Sequence, residues 1–178
     1  MPDYLGASFM MSENTDAEHE VLRRNHWEIQ IQGIDSIIAA QNFNPPNYDV
    51  EKIEVPHYND VIKIAGKTTP GDLRVDLLDF VKPNIAGQVW DWFKLVYDPN
   101  TSKRKYASRY KRQARIFLYD PEEVLLRTWS LKGLFPLNNP FGGESYDYSS
   151  HDVVKIAMAF SVDYCTMDGA AAGATSVI

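Results

Sequence analysis

The sequence predicts a mainly β fold of the α+β kind with one flanking helix, on three observations. From Val154 to Tyr164, Val154, Ile156, Met158, Phe160, Val162 and Tyr164 alternate strictly with Val153, Lys155, Ala157, Ala159, Ser161 and Asp163, the period-two pattern of a half-buried strand. Further β-prone runs recur from Trp27 onward, divided by Pro, Asn and Asp clusters. Only one segment, near residues 84–97, carries apolar residues at helical spacing. Ten Tyr, eight Phe and four Trp suit β structure and large interfaces.

Taken in order, residues 1–24 are polar and without clean periodicity and are expected to form an arm. Trp27 to Gln32 alternates up to Gly33 and predicts a first strand. The short apolar run Ile34 to Ala40 leads to Asn44-Pro45-Pro46-Asn47, which continues neither a helix nor a central strand. Val50 to Val55 and Val61 to Gly66 flank the turn cluster Pro56 to Asp60 and predict a hairpin. Charged and apolar side chains are mixed along it, which suits pairing with another chain better than a monomer's core. Asp72 to Phe80 predicts a strand with Leu73, Val75 and Leu77 on one face.

Asn84 after Pro83 is a natural N-cap for a helix running to Tyr97. Its stripe of Ile85, Val89, Trp92, Phe93 and Val96 is expected to pack on a sheet. Gln113 to Tyr119 and Glu123 to Leu131 predict strands around the turn Asp120-Pro121-Glu122. Arg127 to Tyr164 then reads as two long strands joined by a Phe-Pro loop and a Tyr-Asp-Tyr-Ser-Ser connector. These exceed the typical strand of about 5–6 residues, so their faces and edges need cover. A domain over residues 25–165 and a flexible tail over 166–178 complete the expected organisation.

The net charge of −6 conceals segregation. Lys103, Arg104, Lys105, Arg109, Lys111, Arg112 and Arg115 lie in a strip without acidic residues, and the remaining 11 Lys and Arg face 24 Asp and Glu, or −13. With Tyr106 and Tyr110 interleaved, the strip is one candidate nucleic-acid footprint. The acidic remainder would repel a phosphate backbone, so a strip that docks on an acidic patch of an identical neighbour is the preferred reading. No apolar run approaches the roughly 20 residues of a membrane span. The first twenty residues lack a basic n-region, so no secretory signal and a reducing cytosol are expected. Cys165 is the single cysteine; it is a space-filling residue or a thiol that meets a neighbouring subunit's thiol.

No catalytic, cofactor or metal site is expected. His19, His26, His57 and His151 lie in unrelated segments, and one cysteine cannot complete a thiolate site. Asp72 and Asp76 alternate with Arg74 and read as a salt-bridged surface rather than a catalytic carboxylate pair. Gly142-Gly143 lacks the Lys-Ser/Thr of a phosphate loop, and Ser149-Ser150 are not flanked as a nucleophile elbow.

Four stretches carry a resemblance. They are VEKIEVPHYNDVIKIAG (50–66), GDLRVDLLD (71–79), the helix motif Trp90-Asp-Trp-Phe, and RTWSLKGLFP (127–136) followed by Asp147-Tyr-Ser-Ser and the last strand. In this order the chain resembles the major tail tube protein of contractile-tailed bacteriophages over roughly residues 27–165. The arm, the basic strip and the Ala/Gly tail have no counterpart in the resemblance.

The resemblance implies a small β-sandwich or barrel with one helix, assembled as stacked hexameric rings. The hairpin residues Val50, Glu51, Ile53, Glu54, Val55, Val61, Ile62 and Ile64 would join neighbouring subunits, and the ring would remove the edges a lone protomer exposes. It implies a non-enzymatic virion protein, made in the host cytoplasm and located in the tail tube. Partners would be the sheath, a baseplate or tube initiator, a tape measure and a terminator. DNA would pass through without specific binding, and no membrane insertion is implied. An acidic lumen, with Glu51 and Glu54 as candidates, would keep DNA from adhering. The inner tube of a contractile injection or type VI-like secretion system is the near alternative. A small nucleic-acid-binding β-module is the alternative of another class.

Overall fold

The structure is a computed structural model that describes residues 24–141, 147–149 and 151–169. The expected arm up to residue 23 and the glycine pair Gly142-Gly143 lie outside the described residues. The fold is mainly β, as predicted. Its strands are β1 (Trp27–Ile31), β2 (Ala40–Asn44), β3 (Tyr48–His57), β4 (Asp60–Pro70), β5 (Leu73–Leu78), β6 (Arg112–Tyr119), β7 (Leu125–Pro136), β8 (Lys155–Ser161) and β9 (Tyr164–Gly169). Its helices are α1 (Ser36–Ala39), α2 (Ile85–Val96) and α3 (Ala107–Tyr110).

Seven strands form an antiparallel sheet folded into two layers, β1-β6-β7-β9 and β2-β5-β8 with the end of β7. Alternation directs Ile29 and Ile31, Ala114 and Ile116, and Leu131 inward from the first layer. Leu73, Val75 and Leu77, and Ile156, Met158 and Phe160, come inward from the second. The two faces meet in one core, as period-two strands with one apolar face require.

Strand β7 passes from one layer to the other. Leu125 to Lys132 pair with β6, Phe135 and Pro136 pair with β8, and Gly133 is the extra residue between Lys132 and Leu134 opposite β6. Its φ of +73° is the left-handed bulge conformation that glycine adopts without strain. The chain crosses between layers a second time at Val162-Asp163, so the expected single strand from Val154 to Tyr164 is two strands, β8 and β9. Val162 is still buried, but Tyr164 is exposed on the other layer. Strand β9 also runs to Gly169, so residues 166–169, expected in the flexible tail, pair with Arg127 to Ser130 of β7. Asn138 lines the edge of β8 beyond Pro136: its side chain accepts from the Ala159 N–H (2.8 Å) and donates to the Ala157 carbonyl (2.8 Å).

Helix α2 matches the predicted helix. The Asn84 carboxamide caps it by accepting from the Gly87 N–H at 2.7 Å, and Ile85, Val89 and Trp92 are buried. Trp92 stacks on Phe160 (5.3 Å between centroids) and donates to the Tyr110 carbonyl at 2.6 Å. The turn after β6 is held by Asp120, whose carboxylate accepts from the N–H groups of Glu122 and Val124. Edge strand β2 was not expected. Its sequence Ala-Gln-Asn-Phe-Asn has little β character and is held by pairing with β5 and by Phe43, which lies 4.7 Å from the ring of Trp27.

Candidate assembly interface

Among the described residues, the hairpin of β3 and β4 is left largely uncovered. Every residue of β3 is exposed, as is every residue of β4 except Gly66 and Pro70. The two strands pack chiefly on each other. At eleven residues β4 spans about 35 Å. The hairpin exceeds the predicted one at both ends, and its turn is only Tyr58-Asn59, with Tyr58 at φ +52°. Pro56 and His57 pair with Val61 and Asp60 instead of turning. A proline is tolerated because each hairpin strand is also an edge.

The register sorts the side chains. Ile53 lies opposite Ile64, and Val55 opposite Ile62, so these four aliphatic residues form one face. Their exposures of 41–52% leave about half of each side chain in water. The other face pairs Lys52 with Ala65, Glu54 with Lys63 and Pro56 with Val61. Lys52 and Glu54 form an ion pair at 2.6 Å. Of the two candidate lumen acids, Glu54 is thus flanked by two lysines, and Glu51 lies at the bulge between Val50 and Lys52. This stretch is mixed in charge rather than acidic.

The hairpin joins the sandwich at its base. The Tyr48 hydroxyl donates to the Cys165 carbonyl and accepts from the Cys165 N–H, both at 2.8 Å, capping the outer edge of β9. The Asn47 carbonyl accepts from the Gly71 N–H at 2.7 Å. Cys165 packs against the core with its thiol pushed up by burial. Nothing in the spacing of Tyr48 and Cys165, 117 residues apart, foretells this anchor.

The basic strip is not one surface. Lys103, Arg104 and Lys105 lie on an exposed loop held to α2 by backbone bonds from Asp98 to Lys103 and from Lys105 to Leu95. Arg109 is exposed on α3, whereas Lys111 is paired with Asp163. The Arg112 guanidinium stacks over Trp92 at 4.5 Å and donates to the Gln32 and Gly33 carbonyls. Its burial disfavours the charged form, which an arginine nevertheless keeps at neutral pH. Arg115 is on β6 between Gln30 and Ser130. Of the two interleaved tyrosines, Tyr110 packs edge-on against Phe135. The residues that made the strip resemble a nucleic-acid footprint are therefore partly spent on internal structure.

Among the described residues no group of three or more His, Cys, Asp or Glu side chains is placed to hold a metal, and no helix is long and apolar enough to cross a membrane. Asp76 meets Asn42 on the sheet surface.

The fold is shared with chains from solved contractile injection systems. It matches a chain of the anti-feeding prophage tube-terminating cap with a TM-score of 0.69 at 14% identity, covering 90% of this chain and 99% of that one. It matches a chain of the sheath–tube complex of an extracellular contractile injection system, PVC, with a TM-score of 0.67 at 16% identity, covering 88% and 100%. A chain of the PVC sheath/tube terminator matches with a TM-score of 0.65 at 16% identity, covering 84% and 98%. No protein-family model and no curated protein matches the chain. The tail-tube resemblance read from the sequence thus recurs in the fold, at identities where the fold is what is shared.

Proposed function

We propose that this chain is a structural subunit that closes into rings through its β3–β4 hairpin, and that the rings stack into the tube of a contractile, tail-like machine. The carrying observation is the hairpin itself: about 35 Å of strand, two free edges, and an aliphatic face of Ile53, Val55, Ile62 and Ile64 that stays about half exposed among the described residues. A lone edge hairpin with such a face invites uncontrolled pairing. Closure of the hairpins from several copies into a barrel satisfies every backbone group and buries the face in one step.

A ring of six, a phage tail as its location, and passage of a genome through the lumen follow from the tail-tube resemblance. Sheath, initiator, tape measure and terminator would be its neighbours. The likeness to chains from extracellular contractile injection systems supports a second reading, in which the same tube or its cap belongs to an injection machine and carries another payload. Both readings make the chain a passive conduit.

Negative-stain electron microscopy of concentrated protein, alone and with a tube-initiating baseplate component, tests the proposal. Rings or tubes with hairpins toward the lumen are expected. A protein that remains monomeric under both conditions would refute it.

A further inference from the structure

The ends of strand β6 carry opposite charge. At its Arg112 end enter the exposed Lys103, Arg104, Lys105 and Arg109, none of which has an ion-pair partner among the described residues. At its Tyr119 end lies the turn with exposed Glu122 and Glu123. The registers of β1, β7 and β9 place Asp168 at that same end, where Arg24 and Arg127 are the opposing cations. Eight residues of strand separate the two ends by about 25 Å, well beyond the screening length of about 8 Å at physiological salt.

The two sets cannot neutralise each other within one protomer. Asp163 is already taken by Lys111, and Asp98, bridged to Lys103 through the backbone, has its carboxylate held by Thr101 and the Asn100 N–H. At the other end the Asp120 carboxylate is used by its own turn, leaving Glu122 and Glu123 pointing outward.

We infer that Lys103, Arg104, Lys105 and Arg109 of one copy dock on Glu122, Glu123 and Asp168 of the next, and that this head-to-tail contact sets the polarity with which rings stack. Two different surfaces on one chain make a heterologous contact, which repeats without closing unless a rotation brings it back on itself. The hairpin supplies the closing contact, and the charged ends supply the open one along the axis. Opposed charges also reject the reversed orientation, since basic-to-basic or acid-to-acid faces repel. The inference rests on the tube reading for its geometry, but the contact between copies is measurable without it.

The test is zero-length carbodiimide cross-linking of the concentrated full chain, with mass-mapped products and parallel electron microscopy. Intermolecular links from Lys103 or Lys105 to Glu122, Glu123 or Asp168 are expected. Their yield should fall by about tenfold between 0.1 M and 1 M salt, as the screening length drops from about 10 Å to about 3 Å. The variant K103E/R104E/K105E and the variant E122K/E123K should each lose stacking while single rings persist, and mixing the two should restore contact between reversed ends. Rings absent from every sample, with the links still present, would sink the tube reading and leave this contact standing. Links absent from the wild-type protein, or single reversals that stack as well as wild type, would overturn the inference. So would duplex DNA binding at the basic loop with no link between copies.

Discussion

Replacing Ile62 with Asp separates assembly from folding. Fully burying an isoleucine or valine contributes about 1.5–3 kcal/mol. Ile53, Val55, Ile62 and Ile64 remain 49%, 41%, 48% and 52% exposed in the protomer, so about half of that gain, roughly 1 kcal/mol per side chain, is left for assembly. The four together offer each subunit on the order of 4 kcal/mol from one face, before any gain from strand pairing. A carboxylate at position 62 removes a quarter of this and places a charge where the ring would exclude water, at a further cost of several kcal/mol. Ile62→Asp should therefore abolish rings. Because Ile62 lies near the hairpin's turn and the bonds to the sandwich are at its base, through Tyr48 and Asn47, the unfolding midpoint of the sandwich should move by less than about 3 °C. Ile62→Val should still assemble. Light scattering and electron microscopy read the first effect, and calorimetry on the dilute protein reads the second. Rings formed by Ile62→Asp at wild-type concentrations would refute the reasoning. A collapse of the midpoint would show that the hairpin belongs to the core.

Other consequences concern the elements that hold the hairpin and the bent strand. Gly133→Ala places a side chain at φ +73°, costing about 1–2 kcal/mol, and its Cβ would overlap the Asp163 side chain. A fall in midpoint of roughly 5–10 °C is expected, partly relieved in a Gly133→Ala/Asp163→Ala double variant; equal costs in both backgrounds would discredit the steric account. Tyr48→Phe removes two hydrogen bonds worth about 0.5–1.5 kcal/mol each. The Cys165 amide should then exchange with solvent markedly faster by hydrogen-exchange mass spectrometry, and unchanged protection would deny Tyr48 its anchoring role. Burial raises the Cys165 thiol above its ordinary value. Its thiolate therefore appears at higher pH than that of a free cysteine, and a disulfide reagent at pH 8 should label it more slowly than it labels glutathione. Labelling at or above the glutathione rate would contradict this.

Local pattern carried the inward faces of β1, β5, β6 and β8, and the stripe and cap of α2. In each, burial follows from the residue's own periodicity and needs no knowledge of the partner. The hairpin was legible for the same reason, down to its lack of an inward face. Strand β2 was not, because Ala-Gln-Asn-Phe-Asn is a strand only where β5 offers it hydrogen bonds. The break between β8 and β9 was hidden as well. Alternation continues without interruption through Val162 and Tyr164, while the backbone changes layer between them. Gly133 within a strand pattern is the one local sign of a bend, and it lies on β7, the other strand that crosses between layers.

The basic strip shows most clearly where local reading ends. Seven cations in thirteen residues look like a single patch, yet each ends up with the neighbours that the fold supplies. Trp92 and two carbonyls take Arg112, Asp163 takes Lys111, and the outward side of β6 takes Arg115. Lys103, Arg104, Lys105 and Arg109 keep their charge unpaired at the surface beside α2 and α3. Alternation, capping and turn chemistry act over a few residues, so the sequence by itself determined a mainly β chain with one amphipathic helix and an uncovered hairpin. Layer crossings, the Tyr48 anchor and the division of charge between the two ends of β6 depend on residues up to 117 positions apart, and only the tertiary structure decided them, because only packing brings such groups within bonding distance.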